Sequence, residues 1–346
     1  MKPWAQVLPT RELPGTGVVT SAVGFGCAGL FRIPQRSARR AVLDAVYDAG
    51  IRHFDVAPMY GLGLAEAELA SFLMRRRADV TVTTKFGIDP TPLCRGVAHF
   101  QKPLRAFLAK RANVGERLKV AGRGPHSGPF GRLLYSSPGY HRQSAQVSLE
   151  RSLRKLDTDY IDVFLLHDPV GDLITSAPEL IDYLDEQRRL GRIRCWGVTG
   201  QPSELSGVME CLGRGAVVQF RDDIFEEPLT AVHMPDGARI TYGALARALP
   251  VLRRFLAHSP GALDLWSERF GADLAEESSV PRMILSAGLR RNEAGPVLFS
   301  TTRPERARVA AEAATRSVGP SDAEAATFSE LAAAVLAARP DLIQTP

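Results

Sequence analysis

From residue 22 onward, short apolar runs alternate with segments whose apolar residues recur every three or four positions. The runs are Ala22–Gly26, His53–Val56, Val80–Lys85, Ile161–His167, Ile193–Thr199, Val217–Phe220, Arg239–Tyr242 and Val297–Ser300. Strands that alternate with amphipathic helices build parallel sheets. Eight such strands are the number that closes a (β/α)8 TIM barrel. The helical segments carry start signals of their own. Ser37 precedes Ala38–Ala49, in which Ala41, Val42, Val46 and Tyr47 are spaced to share a face. Capping-box arrangements stand at Ser176-Ala-Pro-Glu179, Thr302-Arg-Pro-Glu305 and Ser321-Asp-Ala-Glu324. Ahead of the first run, Thr10–Thr20 turns at Pro14-Gly15-Thr16-Gly17 and reads as an N-terminal β-hairpin placed to plug the base of a barrel.

An open doubly wound sheet is the alternative, and it needs a dinucleotide fingerprint after its first strand. Gly24-Phe-Gly26-Cys-Ala-Gly29 satisfies the spacing, but a helix must then begin at once. Pro34 delays the helix to about Ser37, so the fingerprint is rejected. The whole chain, 1–346, is read as one barrel domain carrying a long insertion after its third strand, residues 89–142. Connections of that length are commonly functional or disordered. Leaving from the C-terminal end of a strand, this one stands at the face where barrel active sites form.

Composition narrows the class. A 45% hydrophobic, 23% charged chain buries an ordinary core. It has no apolar run long enough to span a membrane, and prolines and charges interrupt Met1–Thr20, so no signal core is read there. Cys27, Cys94, Cys195 and Cys211 are scattered, and neither they nor the histidines show metal-ligand spacing. A reduced, cytoplasmic protein without a metal is the expectation. The net charge of +5 is unevenly placed: residues 89–142 hold ten Lys/Arg against Asp89 and Glu116, which leaves the remainder acidic. This segment is either a solvated loop or a lid that attracts an anionic substrate or an acidic carrier. Aromatics are too sparse among its basic residues for a nucleic-acid surface.

Several strands end on ionisable groups: Asp55 followed by Tyr60, Lys85, and His167. A barrel brings such ends to one mouth. Lysine is scarce here, six residues among 43 Lys and Arg, so one that ends an apolar strand stands out. Taken singly, Tyr60 reads as a loop aromatic and His167 as a strand end. Together they suit proton transfer. A tyrosine titrates near about 10, and an adjacent ammonium lowers that value. A buried lysine requires a carboxylate. Asp55 would hold Lys85, Lys85 would tune Tyr60, and His167 would donate to a substrate oxygen. The set fits carbonyl–alcohol interconversion with hydride from a nicotinamide.

The segments Gly24-Phe-Gly26, Phe54-Asp55-Val-Ala-Pro-Met-Tyr60-Gly61, Thr84-Lys85-Phe-Gly87, Ser148–Leu156 with Asp159-Tyr-Ile-Asp162, Leu166-His167 and Gly191-Arg-Ile-Arg-Cys-Trp-Gly197 resemble the aldo-keto reductase superfamily. In pattern they stand nearest its sugar- and pyridoxal-dehydrogenase-like branch. The resemblance implies a TIM barrel and a catalytic tetrad at Asp55, Tyr60, Lys85 and His167. It implies cofactor contacts at Gly26, Cys27, Asp55, Thr199, Gly200, Gln219, Tyr242, Gly243, Ser300, Thr301 and Arg306. Tyr242 would stack on the nicotinamide. Arg306 would favour the 2′-phosphate of NADP (NADPH) over NAD. The sequence departs from the family at Gly200, where asparagine is common, and lacks the usual basic residue near Ser300. Val309 and Ala310 replace the polar pair that contacts adenine. The expected substrate is a small-molecule carbonyl or hydroxyl compound. Two other functions fit the same fold: reduction of an imine or activated alkene, and a non-catalytic cofactor-sensing barrel. The intact tetrad disfavours the sensor.

Overall fold

The computed structural model describes residues 8–94, 133–169, 178–203, 205, 207–208, 217–225, 237–315 and 320–342. The chain opens with an antiparallel hairpin, β1 (Thr10–Leu13) and β2 (Val18–Ser21), that pairs Leu13 with Val18. Eight parallel strands follow: β3 (Val23–Gly26), β4 (His53–Asp55), β5 (Thr81–Phe86), β8 (Ile161–His167), β9 (Ile193–Gly200), β10 (Val217–Arg221), β11 (Arg239–Tyr242) and β12 (Val297–Phe299). They pair in chain order and close where β12 meets β3, with Val297 beside Val23. This is the expected barrel, and every predicted strand lies within one or two residues of an observed one.

Strand side chains alternate between two faces, and that alternation sorts the whole interior. Phe25, Phe54, Val82, Phe86, Phe164 and Leu166 join the main core cluster, which takes in apolar residues of the surrounding helices. Their neighbours Val163, Leu165, Cys195, Val217, Ile240 and Leu298 form a second cluster. Leu13 and Val18 of the hairpin belong to this second cluster, so the hairpin does plug the base. Arg11 fixes it there, donating from Nη2 to Leu289 O at 2.7 Å and from Nη1 to Gly295 O at 3.0 Å.

Helices α1 (Arg36–Asp48), α2 (Ala65–Leu73), α3 (Arg142–Leu156), α4 (Pro178–Arg189), α5 (Ala244–Ala257), α6 (Pro260–Phe270), α7 (Ser279–Arg291), α8 (Arg306–Ala314) and α9 (Asp322–Ala338) are the α-helices bounded among the described residues. Three start signals need correction or restriction. Helix α1 begins ahead of Ser37, with Gln35 at its cap, because Arg39 satisfies the Ile33 and Pro34 carbonyls with its guanidinium. Its buried stripe is Arg39, Val42, Leu43 and Val46, and Ala41 faces solvent. Thr302 caps nothing. Thr301 binds the Arg303 backbone instead, at 3.0 Å from its N–H, and α8 starts at Arg306. Ser176 lies outside the described residues, whereas Ser321 and Glu324 do form the expected capping box.

The insertion leaves β5 and returns as a short antiparallel ribbon, β6 (Asp89–Pro90) with β7 (Tyr135–Ser136). Asp89 is ion-paired to Arg151 on α3, which anchors the ribbon's base. Residues 95–132, with the basic cluster Arg105, Lys110 and Arg111, lie outside the described residues.

Candidate active site

The inward parity of each strand decides what reaches the mouth. On β4 the inward residues are His53 and then Asp55. On β5 they are Thr81, Thr83 and then Lys85. On β8, the step after Val163 and Leu165 is His167. Asp55, Lys85 and His167 are therefore the last inward side chains of their strands, and all three are buried.

Lys85 Nζ donates to both oxygens of Asp55, at 2.7 and 2.8 Å, and to Val56 O at 3.2 Å. Gln219, inward on β10, donates Nε2 to Asp55 Oδ2 at 2.7 Å. The buried carboxylate thus receives a cation and an amide, which meets the requirement for burying charge. Tyr60 arrives from the loop after β4. Its N–H bonds Ala57 O at 3.0 Å, and the following Gly61 has φ 58°, with the Phe31 ring lying where a β-carbon would stand. The Tyr60 ring lies 5.1 Å from Lys85 Nζ and meets the His167 ring edge-on, with centroids 6.4 Å apart and planes at 89°. All four residues of the tetrad therefore meet at one point of the mouth.

The acidity of Tyr60 runs against the sequence expectation. Burial, then the negative charges of Asp55 and Asp168, hold its phenol well above the ordinary tyrosine value. The physical reason is that burial disfavours the charged phenolate, and the nearby carboxylates disfavour it further. Tyr60 is kept as a neutral phenol, an O–H donor.

A polar layer lies one step deeper. The two ring nitrogens of His53 stand 3.1 Å from Thr81 Oγ1 and 3.1 Å from Thr83 Oγ1. Burial pushes this histidine down to about 4. It is neutral when folded and binds a proton near pH 6.5 when unfolded, so the unfolded chain gains protons first as pH falls. Stability is therefore lost between pH 6.5 and 4, by about 3 kcal/mol from this residue. Urea midpoints should show a shallower decline over that range for His53→Gln than for wild type. Parallel slopes would remove His53 as a cause.

Two residues that sequence reasoning did not single out frame the site. Tyr140, on the returning arm of the insertion, donates its hydroxyl to His167 O and occupies the space a side chain at Gly87 would need. Asp168 has φ 51°, one of three non-glycine residues at positive φ among those described, and its N–H bonds Thr199 O at 2.7 Å. An aspartate just past the end of a strand tolerates that conformation, which is the signal that could have marked it.

The positions implied for a cofactor line the same strand ends. Ser300 Oγ donates to Gly26 O at 2.7 Å, and a β-carbon on Gly26 would come within 2.8 Å of that oxygen. Cys27 follows as a buried thiol whose acidity burial suppresses. Thr199 and Gly200 end β9, Tyr242 ends β11, and Gly243, at φ 90°, begins α5. Gln219 differs from expectation in that its amide N–H is engaged by Asp55. Arg306 opens α8, its guanidinium 2.6 Å from Glu277. The barrel brings these residues to one face: Gly26, Cys27, Ser300, Thr301 and Arg306 at the β12–β3 seam, Asp55 beside them on β4, and Thr199, Gly200, Gln219, Tyr242 and Gly243 across β9 to β11.

The aldo/keto reductase family profile matches residues 22–217. The chain belongs to the aldo/keto reductase family. It is 28% identical over 242 residues to a D-threo-aldose 1-dehydrogenase of Pseudomonas, 67% of each chain. It is 40% identical over 80 residues to a pyridoxal 4-dehydrogenase of Microbacterium luteolum, which covers 22% of this chain and 23% of that one. Among solved structures, an aldo-keto reductase from Klebsiella pneumoniae in complex with NADPH superposes with a TM-score of 0.62 at 20% identity, covering 95% of this chain and 96% of that one. This aldo/keto reductase is therefore an NAD(P)-dependent oxidoreductase of small-molecule substrates. No helix among its described residues is long and apolar enough to cross a membrane.

Proposed function

We propose that this reductase interconverts a carbonyl and a hydroxyl carbon of a small molecule, with Tyr60 as general acid/base. The supporting observation is the joining of Lys85 to both oxygens of Asp55 directly beneath Tyr60, with His167 edge-on to the phenol. In the reductive direction the substrate oxygen lies between the Tyr60 hydroxyl and His167. The nicotinamide, when bound, supplies a hydride to the carbonyl carbon. Tyr60 gives its proton to the oxygen, and His167 orients that oxygen by hydrogen bonding. Burial, with the charges of Asp55 and Asp168 beside it, keeps the phenol protonated, so it starts as a donor. The reverse reaction returns the proton to Tyr60.

The mouth fits a dinucleotide by the chemistry of its lining. Helix α5 has no acidic residue in its first turn and no side-chain cap, so its first N–H groups can face phosphate oxygens. Thr199, Gly200 and Gln219 would border the nicotinamide amide, and Tyr242 would stack on the ring. Cys27 and Gly26 would line the base, and Ser300, Thr301 and Arg306 would hold the adenosine phosphate. NADP (NADPH) is the favoured form, with NAD admitted. The named relatives favour an aldose or pyridoxal-like hydroxyl or carbonyl compound as substrate, and the basic insertion favours one that is anionic or carrier-bound.

The test is a fluorescence titration with NADPH and NADH, followed by turnover on aldehydes, ketones and aldoses. Binding of at least one nucleotide and coupled oxidation or reduction of a panel member are expected. Failure to bind either nucleotide would overturn this assignment.

A further inference from the structure

The returning arm of the insertion is fixed on both sides of Tyr140. Gly139, at φ 86°, turns the arm, and His141 caps α3 by accepting from the Ser144 N–H at 3.3 Å. Between them the Tyr140 side chain is buried against Gly87, its ring centroid 6.1 Å from that of Phe86. Its hydroxyl donates to His167 O. That carbonyl belongs to the same peptide as the Asp168 N–H, which bonds Thr199 O at 2.7 Å. One peptide is therefore held at both polar ends, by the insertion on one side and by β9 on the other. The backbone leaves the strand conformation at this point, since Asp168 stands at φ 51°.

We propose that Tyr140 is a positioning residue, whose hydroxyl directs the His167 imidazole by fixing the His167–Asp168 peptide. The inference rests on the proposed role of His167 in orienting the substrate oxygen. The rotamers open to a side chain depend on the backbone angles that carry it. A peptide that can turn about the ψ of His167 therefore widens the range of directions its ring can take. Proton transfer is sensitive to such a spread, because a misplacement of about 1 Å can cost about 100-fold in rate. The β9 strand holds the N–H end of the peptide, and Tyr140 supplies a donor for the carbonyl end. A residue of the insertion thus completes the geometry of a residue of the barrel.

The experiment compares wild type, Tyr140→Phe, His167→Ala and the double variant. It uses steady-state kinetics on the best panel substrate, nucleotide titration, and NMR of the histidine ring protons. Phenylalanine keeps the ring against Gly87 and removes only the hydroxyl. In the wild-type background kcat is expected to fall by about tenfold, the scale of one hydrogen bond, with nucleotide affinity kept within about twofold. In the His167→Ala background the same substitution should cost less than about twofold, because no imidazole remains to be directed. The His167 resonances, assigned by their loss in His167→Ala, should shift in Tyr140→Phe. Equal losses of kcat in the two backgrounds are what a packing role gives, and they overturn the inference. Unchanged His167 resonances overturn it too, whether or not the panel contains a substrate. If Tyr140→Phe turns over as fast as the parent while Tyr60→Phe does not, this inference falls and the proposed reaction stands. A wild type that binds neither nucleotide overturns both.

Discussion

Tyr60→Phe is expected to reduce turnover about 10²–10⁴-fold, the range contributed by a positioned proton donor, while nucleotide affinity stays within about twofold. The ring remains, so its edge contact with His167 and its place above Lys85 are kept. Only the proton is removed. The pH profile should carry the same information. Because burial and the two carboxylates hold the phenol above its ordinary value, Tyr60 is protonated throughout the neutral range. Reductive kcat in wild type should therefore show no fall assignable to Tyr60 until the pH exceeds that ordinary value, 10.0. The measurement is steady-state reduction of the best panel substrate from pH 6 to 10, beside a nucleotide titration of each variant. A phenylalanine variant that turns over as fast as the parent removes Tyr60 from the chemistry.

The second large effect concerns stability as well as rate. Lys85→Met should abolish turnover and lower the unfolding free energy by about 3–5 kcal/mol, because Asp55 is left buried with an amide and no cation. Asp55→Asn in the same chain should restore much of that stability, since an uncharged amide at 55 no longer needs the ammonium, yet restore no activity. Urea midpoints of the two single variants and the double variant decide it. If the double variant is as unstable as Lys85→Met, the loss comes from packing and the charge argument fails.

Much of this site could be read in the sequence because a barrel converts order along the chain into position. Ile161–His167 and Arg239–Tyr242 came out to the residue, since each is an apolar run ending on the polar group that marks the mouth. The juxtaposition of Asp55, Lys85 and His167 followed from three strand ends and one topology. What was not legible depends on distances between side chains. That Asp55 grips Lys85 with both oxygens, and that burial and two carboxylates hold Tyr60 protonated, needs geometry that residue types do not carry. Helix α8 shows the same limit on a local scale. Thr302 satisfies the capping pattern, but Thr301 makes the bond, and neighbouring hydroxyls cannot be ranked by sequence. Glu277 was invisible for another reason: nothing along the chain ties a loop after α6 to the start of α8.

The seam between β3 and β12 also sets an order of events during synthesis. Val23 and Val297 pair directly, and Arg11 is held by the carbonyls of Leu289 and Gly295. At about 5–20 residues per second, the first strand leaves the ribosome roughly 15–50 s before the strand that must cover it. Through that interval β3 is an uncovered edge, open to pairing with other nascent chains. Closure is the last large step available to this fold. Variants that slow it, rather than those that weaken the finished barrel, are the ones expected to cost soluble yield in cells.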